Sequence, residues 1–231
     1  MKNKIVVIVS AGMGKRMKSI GPKANIFLSD GETVLERQIR FFRSRYPEYE
    51  IVVVVGFMKD KIKCDKYKDV TFIENENFEN TNSARSIMCA LESCSCDEAI
   101  ICCGDLVFNE KMITNIDEFY SCVVMDMNSQ YRSSEVGCMI EDSVVINFDY
   151  GIYPKWSQIA FLQKRELELF KYVGRKPKTH KWFIFEVINE SIKIGAVYGT
   201  HFHKDAHMVE IDCPQDIRRA RIFAQLTGEK K

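Results

Sequence analysis

The chain has 231 residues, 33 of them basic and 32 acidic, with a formal net charge of +1. Its length suffices for one α/β domain with a full core, and we expect a single domain over residues 1–231. The near-neutral charge argues against a protein that grips nucleic acid, and no apolar run reaches the roughly 18 residues of a membrane span. The composition therefore predicts a globular protein without nucleic-acid or membrane partners.

The first half of the chain alternates strands with helices. Short, β-branched apolar runs predict four buried strands: KIVVIVS (4–10), YEIVVVVGF (49–57), VTFIENE (70–76) and, within DEAIICCGDLVF (97–108), a fourth that ends in Gly-Asp. Apolar residues at helical spacing predict two helices: TVLERQIRFFRSRY (33–46) and TNSARSIMCALES (81–93). This order predicts a parallel, doubly wound sheet with helices on both faces. The N-terminal apolar run continues into glycine and lysine, so we interpret it as a strand rather than a signal peptide, and we expect a cytoplasmic protein.

The second half is less regular. Further strands are predicted at SCVVMDM (121–127), EVGCMIEDSVVINFDYG (135–151) and IKIGAVYG (192–199). A strand followed by a helix is predicted at SQIAFLQKRELELFKYV (157–173), and a C-terminal helix at PQDIRRARIFAQLTG (214–228). No linker rich in Pro, Gly or Ser separates the halves. The simplest fold is a single α/β domain with a Rossmann-like mixed sheet.

A glycine-rich, basic loop follows the first strand, within residues 5–26. Gly12 and Gly14 allow backbone N–H groups to approach an anion closely. Three cations lie in the same loop: Lys15, Arg16 and Lys23. The loop is not a P-loop, because GxxxxGK[ST] is absent, and the dinucleotide fingerprint lacks its third glycine, whose position Met17 takes. The loop therefore predicts phosphate binding, with a polar turn as the alternative.

Several segments, in their order along the chain, resemble nucleotidyltransferases of the GT-A-like fold. The loop matches the pattern Ala-Gly-x-Gly-x-Arg-Met followed by Pro-Lys. Four further segments are similar to blocks of the same family: ENENFENTNSARSI (74–87), IICCGDLVF (100–108), WSQIAFL (156–162) and VEIDCPQDIRRA (209–220). The resemblance is nearest to small bacterial cytidylyltransferases of the phosphocholine cytidylyltransferase type. Ser10 departs from the alanine of many members, and residues 125–150 match no motif.

The resemblance implies a magnesium site. It assigns Asp105 and Asp212 as ligands of Mg²⁺, which prefers carboxylate oxygens. Asp105 follows the end of the fourth strand, and in such sheets ligands bind at the carboxyl ends of the strands, where the loop also lies. A turn residue at Asp105 and a helix cap at Asp212 are the alternatives. Glu210 lies two residues before Asp212, so in a strand both side chains would share a side, and it is a weaker candidate.

The resemblance also implies roles for the loop. Arg16 and Lys15 would hold the β- and γ-phosphates of a nucleoside triphosphate, and Lys23 would stabilise the transferring α-phosphoryl group. We expect Arg16 and Lys23 to be catalytic. The expected nucleotide-binding residues are Ser10, Ala11, Gly12, Gly14, Lys15, Asn82 and Ser83.

An acceptor with a quaternary ammonium group would suit the aromatic residues of the second half. The candidates for acceptor binding are Tyr150, Trp156, Trp182, Glu186 and Glu210. Aromatic residues among strands usually belong to the core, and this alternative stays open.

The resemblance thus implies a Mg²⁺-dependent nucleotidyltransferase that condenses a nucleoside triphosphate with a small phosphorylated alcohol such as phosphocholine. CTP is the favoured nucleotide, with UTP or another nucleoside triphosphate as the alternative. A sugar-1-phosphate nucleotidyltransferase is the enzyme alternative, and a non-catalytic nucleotide-binding regulatory domain is the alternative of another class. A plain dinucleotide-binding domain fits least, because of the missing glycine. A homodimer is possible.

Overall fold

A computed structural model of the chain describes residues 3–17, 20–62, 67–118, 120–129 and 132–227. Within these ranges the strands are β1 (Lys4–Ser10), β2 (Glu50–Val55), β3 (Val70–Glu74), β4 (Glu98–Cys103), β5 (Leu106–Phe108), β6 (Cys122–Asp126), β7 (Val136–Glu141), β8 (Val144–Tyr150), β9 (Lys155–Gln163), β10 (Gly199–His201) and β11 (Met208–Glu210). The α-helices are α1 (Val34–Arg45), α2 (Ser83–Ser93), α3 (Lys164–Gly174), α4 (Ile184–Lys193) and α5 (Pro214–Thr227).

One mixed sheet organises the described residues. Its strand order is β3-β2-β1-β4-β9-β6-β10-β8-β7, and β1 to β4 run parallel to one another. Val6, Val7 and Ile8 of β1 are fully buried, as expected for a strand covered on both faces. The predicted α/β fold with a Rossmann-like mixed sheet is therefore confirmed.

The strand order reverses beside β1. The chain moves outward from β1 through β2 to β3 and then returns to β4 on the other side of β1. Right-handed crossovers in opposite directions put α1 and α2 on opposite faces of the sheet, and α3 and α4 pack in the layer of α2. A reversal of this kind opens a crevice between the carboxyl ends of the two central strands. The crevice lies between the ends of β1 and β4.

The fourth strand ends at the Gly-Asp pair, as the sequence predicts, with Cys103 as its last residue. The residues after this pair form a separate strand that was not predicted, β5, which pairs with β11 in a small second sheet. The break falls at Gly104, whose N–H donates to the carbonyl of Val9 at 2.8 Å. This bond is the last one between β1 and β4, and Asp105 follows directly after it, at the edge of the large sheet.

The strand predicted at 192–199 was wrong for most of that segment. Its first residues end α4, a helix that the sequence did not predict, and only Gly199 belongs to β10. Gly195 has a φ of +99, which glycine adopts at little cost and which stops the helix. Of the segment's apolar residues, Ala196 and Tyr198 are buried, and the Tyr198 hydroxyl lies 2.9 Å from that of Ser191 near the end of α4. None of the described helices is both long and apolar enough to cross a bilayer.

We predict that Gly104→Ala destabilises the fold. A methyl group at this position would lie 2.1 Å from the Ser10 Oγ atom and 2.7 Å from the Val9 carbonyl oxygen, so β1 and β4 would have to separate. Crowding of this kind costs about 1–3 kcal/mol, which chemical denaturation can measure. Gly12→Ala is the matched control, because a methyl group there meets nothing within 4 Å. Equal stabilities for the two variants would contradict the prediction.

Candidate active site

The loop after β1 is built by one tight turn. Gly14 has a φ of +54, and its carbonyl accepts a bond of 2.7 Å from the N–H of Met17. The Met17 side chain is buried and anchors the turn, while Arg16 beside it stays exposed. Lys23 lies in a short 3₁₀-helix, Lys23–Asn25, and its neighbour Ala24 is buried. The loop therefore fixes its backbone by the buried side chains of Met17 and Ala24 and leaves Arg16 exposed.

The cations of this loop meet two distant acids. The Lys23 Nζ atom lies 2.9 Å from Asp105 Oδ2 and 3.4 Å from Asp212 Oδ1. Arg16 donates from Nη2 to the same Asp212 oxygen at 3.0 Å. Burial alone would lower the pKa of Lys23, but the two carboxylates raise it above its usual value, so the ammonium stays charged. The structure thus brings together the two cations and the two acids that the sequence singled out.

Glu210 is the third acid of this group. One carboxylate oxygen each from Asp105, Glu210 and Asp212 lies within 4.8 Å of the others, and we call these residues the acidic cluster. Burial, followed by the charges of Asp105 and Asp212, raises the pKa of Glu210 to about 7. Lys155, 3.5 Å from Glu210, partly opposes this shift. The sequence offered Glu210 both as a weaker candidate beside the metal ligands and as an acceptor-binding residue, and here it lies with the candidate metal ligands.

The donor set of the acidic cluster fits a magnesium ion. Carboxylate oxygens are the ligands that Mg²⁺ prefers. The Asp105 Oδ1 atom is buried and has no hydrogen-bond partner among the described residues, which leaves it free to coordinate a cation. The residues that would hold the ion are therefore Asp105 and Asp212, with Glu210 beside them.

The small sheet explains why the acids meet. Glu210 of β11 pairs with Leu106 of β5, one residue after Asp105. The N–H of Ile211 donates to the Asp105 carbonyl at 3.0 Å. The carboxylate of Asp216, in the first turn of α5, accepts bonds from the N–H groups of Asp212 and Cys213 at 3.0 and 2.9 Å. Asp216 therefore fixes the backbone that carries Asp212, and this helix cap leaves the Asp212 side chain free for the cluster.

A cavity of about 460 Å³ opens beside the loop. It contains most of the residues that we expected around the nucleotide: Ser10, Ala11, Gly12, Gly14, Asn82 and Ser83 line it with Arg16, Lys23 and the acidic cluster. We call it the loop cavity. Asn82 uses its side-chain oxygen to accept a bond of 2.8 Å from the Ser83 N–H at the start of α2. The side chain of Lys15 lies outside the described part of the structure.

A larger cavity of about 810 Å³ adjoins the first, and we call it the outer cavity. Tyr150 and Trp156 line it, but they differ in exposure. Tyr150 is 51% exposed and packs edge-on against Phe185, with 5.7 Å between the ring centroids. Trp156 is 3% exposed, and its indole N–H donates to the Ile159 carbonyl at 3.0 Å, so it serves as a wall of the core.

Two expected acceptor residues lie elsewhere. Trp182 lines neither cavity; it packs against the core, with Lys178 over its ring. Glu186 also lines neither cavity, and its carboxylate accepts a bond of 2.7 Å from the Phe183 N–H at the start of α4. A glutamate at the third position of a helix commonly makes this cap, so the signal was present in the sequence.

The outer cavity contains residues that the sequence did not single out as site residues. They are Glu135, Gln158 and Phe185, among others. Lys155 also lines this cavity; it is 8% exposed and lies 2.9 Å from Glu135 as well as near Glu210.

The chain belongs to the family of MobA-like NTP transferase domains, whose model matches residues 6–125. Membership of this family identifies the protein as a nucleotidyltransferase and confirms the resemblance found in the sequence. A comparison with curated protein sequences gave no significant match.

Solved structures of nucleotidyltransferases are similar to this chain along nearly its whole length. The CTP:phosphocholine cytidylyltransferase LicC of Streptococcus pneumoniae has a TM-score of 0.78 at 19% identity, over 96% of this chain and 99% of that one. The inositol-1-phosphate CTP transferase of T. maritima has a TM-score of 0.76 at 16% identity, over 100% of both chains. A putative glucose-1-phosphate thymidylyltransferase from Bacillus anthracis has a TM-score of 0.79 at 15% identity, over 99% and 98%. These likenesses establish the fold.

We predict that Glu210→Gln stabilises the metal-free protein above neutral pH. The pKa of Glu210 is about 7 when folded and about 4.5 when unfolded, so the folded state binds the proton more tightly. Stability is therefore lost as the pH rises from about 4.5 to 7, and the full loss persists at higher pH. Glutamine removes this loss, and we expect a gain of about 1–3 kcal/mol at about pH 8, because one pKa unit corresponds to about 1.4 kcal/mol.

Urea denaturation with a chelator present measures this gain. At about pH 4, where the carboxyl group is protonated in both states, wild type and variant should differ little. A gain of equal size at both pH values would mean that the ionisation of Glu210 is not its cause.

Proposed function

We propose that this nucleotidyltransferase is a Mg²⁺-dependent cytidylyltransferase that joins CTP to a small phosphorylated alcohol, such as phosphocholine, and releases pyrophosphate. The observation that carries the proposal is the meeting of Arg16 and Lys23 with the acidic cluster, at the boundary of two cavities. Transfer of a nucleotidyl group between two polyanionic substrates requires cations that bind phosphate and a metal site at the same place.

The reaction that fits the site needs no covalent enzyme intermediate. An oxygen of the acceptor phosphate attacks the α-phosphorus of CTP, a new O–P bond forms, and the bond to the β-phosphate oxygen breaks with release of pyrophosphate. The attacking oxygen is already an anion, so no general base is required. The enzyme contributes by aligning the two substrates and by offsetting their charge.

The charge of the substrates sets the demands on the site. Two unit charges about 4 Å apart repel by roughly 4 kcal/mol at an effective dielectric constant near 20. We assign Arg16 and Lys15 to the β- and γ-phosphates and Lys23 to the α-phosphoryl group. A magnesium ion held by Asp105 and Asp212 would supply further neutralisation of the phosphates when bound. Lys23 is held by the acids on one side of the loop cavity, which keeps its charge where a phosphate would lie.

The loop cavity is the proposed nucleotide site. Ser10, Ala11, Gly12 and Gly14 would surround the base and phosphates with backbone groups, and Asn82 and Ser83 would approach from the start of α2. Cytosine is favoured because LicC and the inositol-1-phosphate enzyme, both named for CTP, share this fold.

The outer cavity is the proposed acceptor site. The Glu135 Oε2 atom is buried there without a hydrogen-bond partner among the described residues, which suits a cationic ligand. Tyr150 and Phe185 offer aromatic rings for cation–π contact with a quaternary ammonium group. Lys155 and Arg132 also line the cavity and are the candidates for the acceptor phosphate. We no longer propose contacts from Trp182 and Glu186, since neither lines this cavity.

A sugar-1-phosphate nucleotidyltransferase is the second candidate. Its support is the likeness to the putative glucose-1-phosphate thymidylyltransferase and the size of the outer cavity, about 810 Å³, which would admit a sugar. A regulatory nucleotide-binding domain is disfavoured, because binding alone does not require both the cations and the acidic cluster. For the compartment we propose the cytoplasm, in keeping with the free cysteines of the described residues.

A substrate screen should identify the reaction. CTP, UTP, dTTP and GTP are each incubated with Mg²⁺ and phosphocholine, phosphoethanolamine, inositol 1-phosphate or glucose 1-phosphate, and pyrophosphate release is followed. We expect the largest rate with CTP and phosphocholine, because acid and aromatic groups line the outer cavity. A preference for glucose 1-phosphate would favour the second candidate, and CTP binding without turnover on any acceptor would favour the regulatory domain.

Replacement of Lys23 tests the catalytic assignment. We expect Lys23→Met to lower kcat at least about 100-fold, as the loss of a charge that stabilises a transition state commonly does. Circular dichroism should show a folded protein. Lys111→Met is the matched control, because Lys111 is exposed and lines neither cavity. Near-normal turnover of Lys23→Met would contradict the assignment.

A further inference from the structure

Gln158 has an unusual backbone conformation for a residue within a strand. Its φ is +61, in the left-handed region that residues other than glycine adopt at a cost. Such conformations persist only where the surrounding structure holds them, and they cluster at functional sites. A reason for the strain is therefore expected in the groups that Gln158 reaches.

The strain belongs to a bulge in β9. Along the pairing with β6, Met125 faces Trp156 and Val123 faces Ala160. Three residues of β9 thus lie opposite the single residue Val124. Bulges of this kind re-aim a side chain, and they are frequent beside active sites.

Buried side chains hold the bulge in place. The Ser157 hydroxyl donates to the Val124 carbonyl at 2.7 Å, and the Trp156 indole donates to the Ile159 carbonyl at 3.0 Å. Ser157 is completely buried and Trp156 nearly so. Two side-chain hydrogen bonds therefore replace the backbone hydrogen bonds that are interrupted between β6 and β9. They hold the bulge in a fixed conformation.

The bulge brings Gln158 to the acidic cluster. On the other side of β9, Ile159 pairs with Cys102 of β4, so Gln158 lies beside the end of β4, close to Asp105. Its side chain is near enough to act as a hydrogen-bond donor that lowers the pKa of the Glu210 carboxyl group, against the larger effect of burial. Gln158 also lines both the loop cavity and the outer cavity. It therefore stands on the boundary between the proposed nucleotide and acceptor sites.

We propose that Gln158 is a positioning residue of the active site, whose amide is aimed by the β9 bulge at Glu210 and holds that carboxylate in the acidic cluster. The proposal rests on the proposed function, in which the acidic cluster binds a divalent cation. An amide N–H suits this role because it orients a carboxylate without adding a positive charge that would compete with the metal. Partners that orient metal ligands typically change metal affinity by about 10–100-fold when they are removed.

The test compares three variants of the full chain. Gln158→Leu keeps the approximate size and removes the amide. Gln158→Asn keeps an amide, and asparagine tolerates the left-handed conformation better than most residues. Lys164→Gly is the control for relief of strain alone, because Lys164 has a φ of +48, is exposed and lines neither cavity.

The primary measurement is the binding of Mn²⁺ alone to the metal-free protein, followed by electron paramagnetic resonance. We expect Gln158→Leu to weaken Mn²⁺ binding at least about tenfold. Its melting temperature should stay close to that of the wild type. Gln158→Asn should bind Mn²⁺ more tightly than the leucine variant, and Lys164→Gly should match the wild type. With CTP and phosphocholine, kcat should fall in Gln158→Leu and recover in part in Gln158→Asn.

Wild-type Mn²⁺ affinity in Gln158→Leu would overturn the proposal, as would equal losses in the leucine and asparagine variants. If the wild type transfers no nucleotide to any acceptor while Gln158→Leu still loses Mn²⁺ affinity, the proposed function fails and the positioning role stands. Should Gln158→Leu not fold, Gln158→Gly replaces it with the same expected loss of affinity, because glycine removes the amide and relieves the strain.

Discussion

The site depends on one ammonium group held between carboxylates. Lys23 lies within hydrogen-bond distance of Asp105 and Asp212, and it links the loop after β1 to the end of β4 and to the segment before α5. Without a cation at this point, three carboxylates would face one another in a partly buried space, and their repulsion would oppose the close approach of the segments that carry them. The same electrostatic requirement that keeps the folded chain together suits the site to a divalent cation and a polyphosphate.

The fold supplies this geometry in two stages. The reversal of strand order beside β1 creates the crevice, and Asp105 lies at its edge because it directly follows the last hydrogen bond between β1 and β4. The second stage is the small sheet, in which β11 joins β5 and carries Glu210 and Asp212 to the same point. Function therefore depends on a few backbone hydrogen bonds outside the main sheet as much as on the large core beneath it.

The sequence predicted the elements whose residues carry a local signal. Val6 to Ile8 could only be a strand covered on both faces, and the glycines and cations of the loop indicated phosphate. Helix α4 was not predicted, because the side chain that caps its start, Glu186, could equally be interpreted as a residue that binds the acceptor. The meeting of Glu210 with Asp105 could not be derived from spacing, since it depends on a pairing between strands about a hundred positions apart. Gln158 carries no local signal at all, because its importance arises from a bulge that only the register of β9 reveals.

The pairing between β5 and β11 has a consequence for the order in which the site forms as the chain is synthesised. The acids that this pairing brings together are far apart in the chain, and the backbone of Asp212 is fixed by Asp216 of α5. Because a ribosome releases the amino-terminal part first, strands β1 to β4 can assemble around the loop while the acidic cluster is still incomplete. A nascent chain that ends before β11 would thus contain most of the large sheet together with Lys23 and Asp105, but neither Glu210 nor Asp212. The acidic cluster would be complete only once β11 and the first turn of α5 have joined the fold.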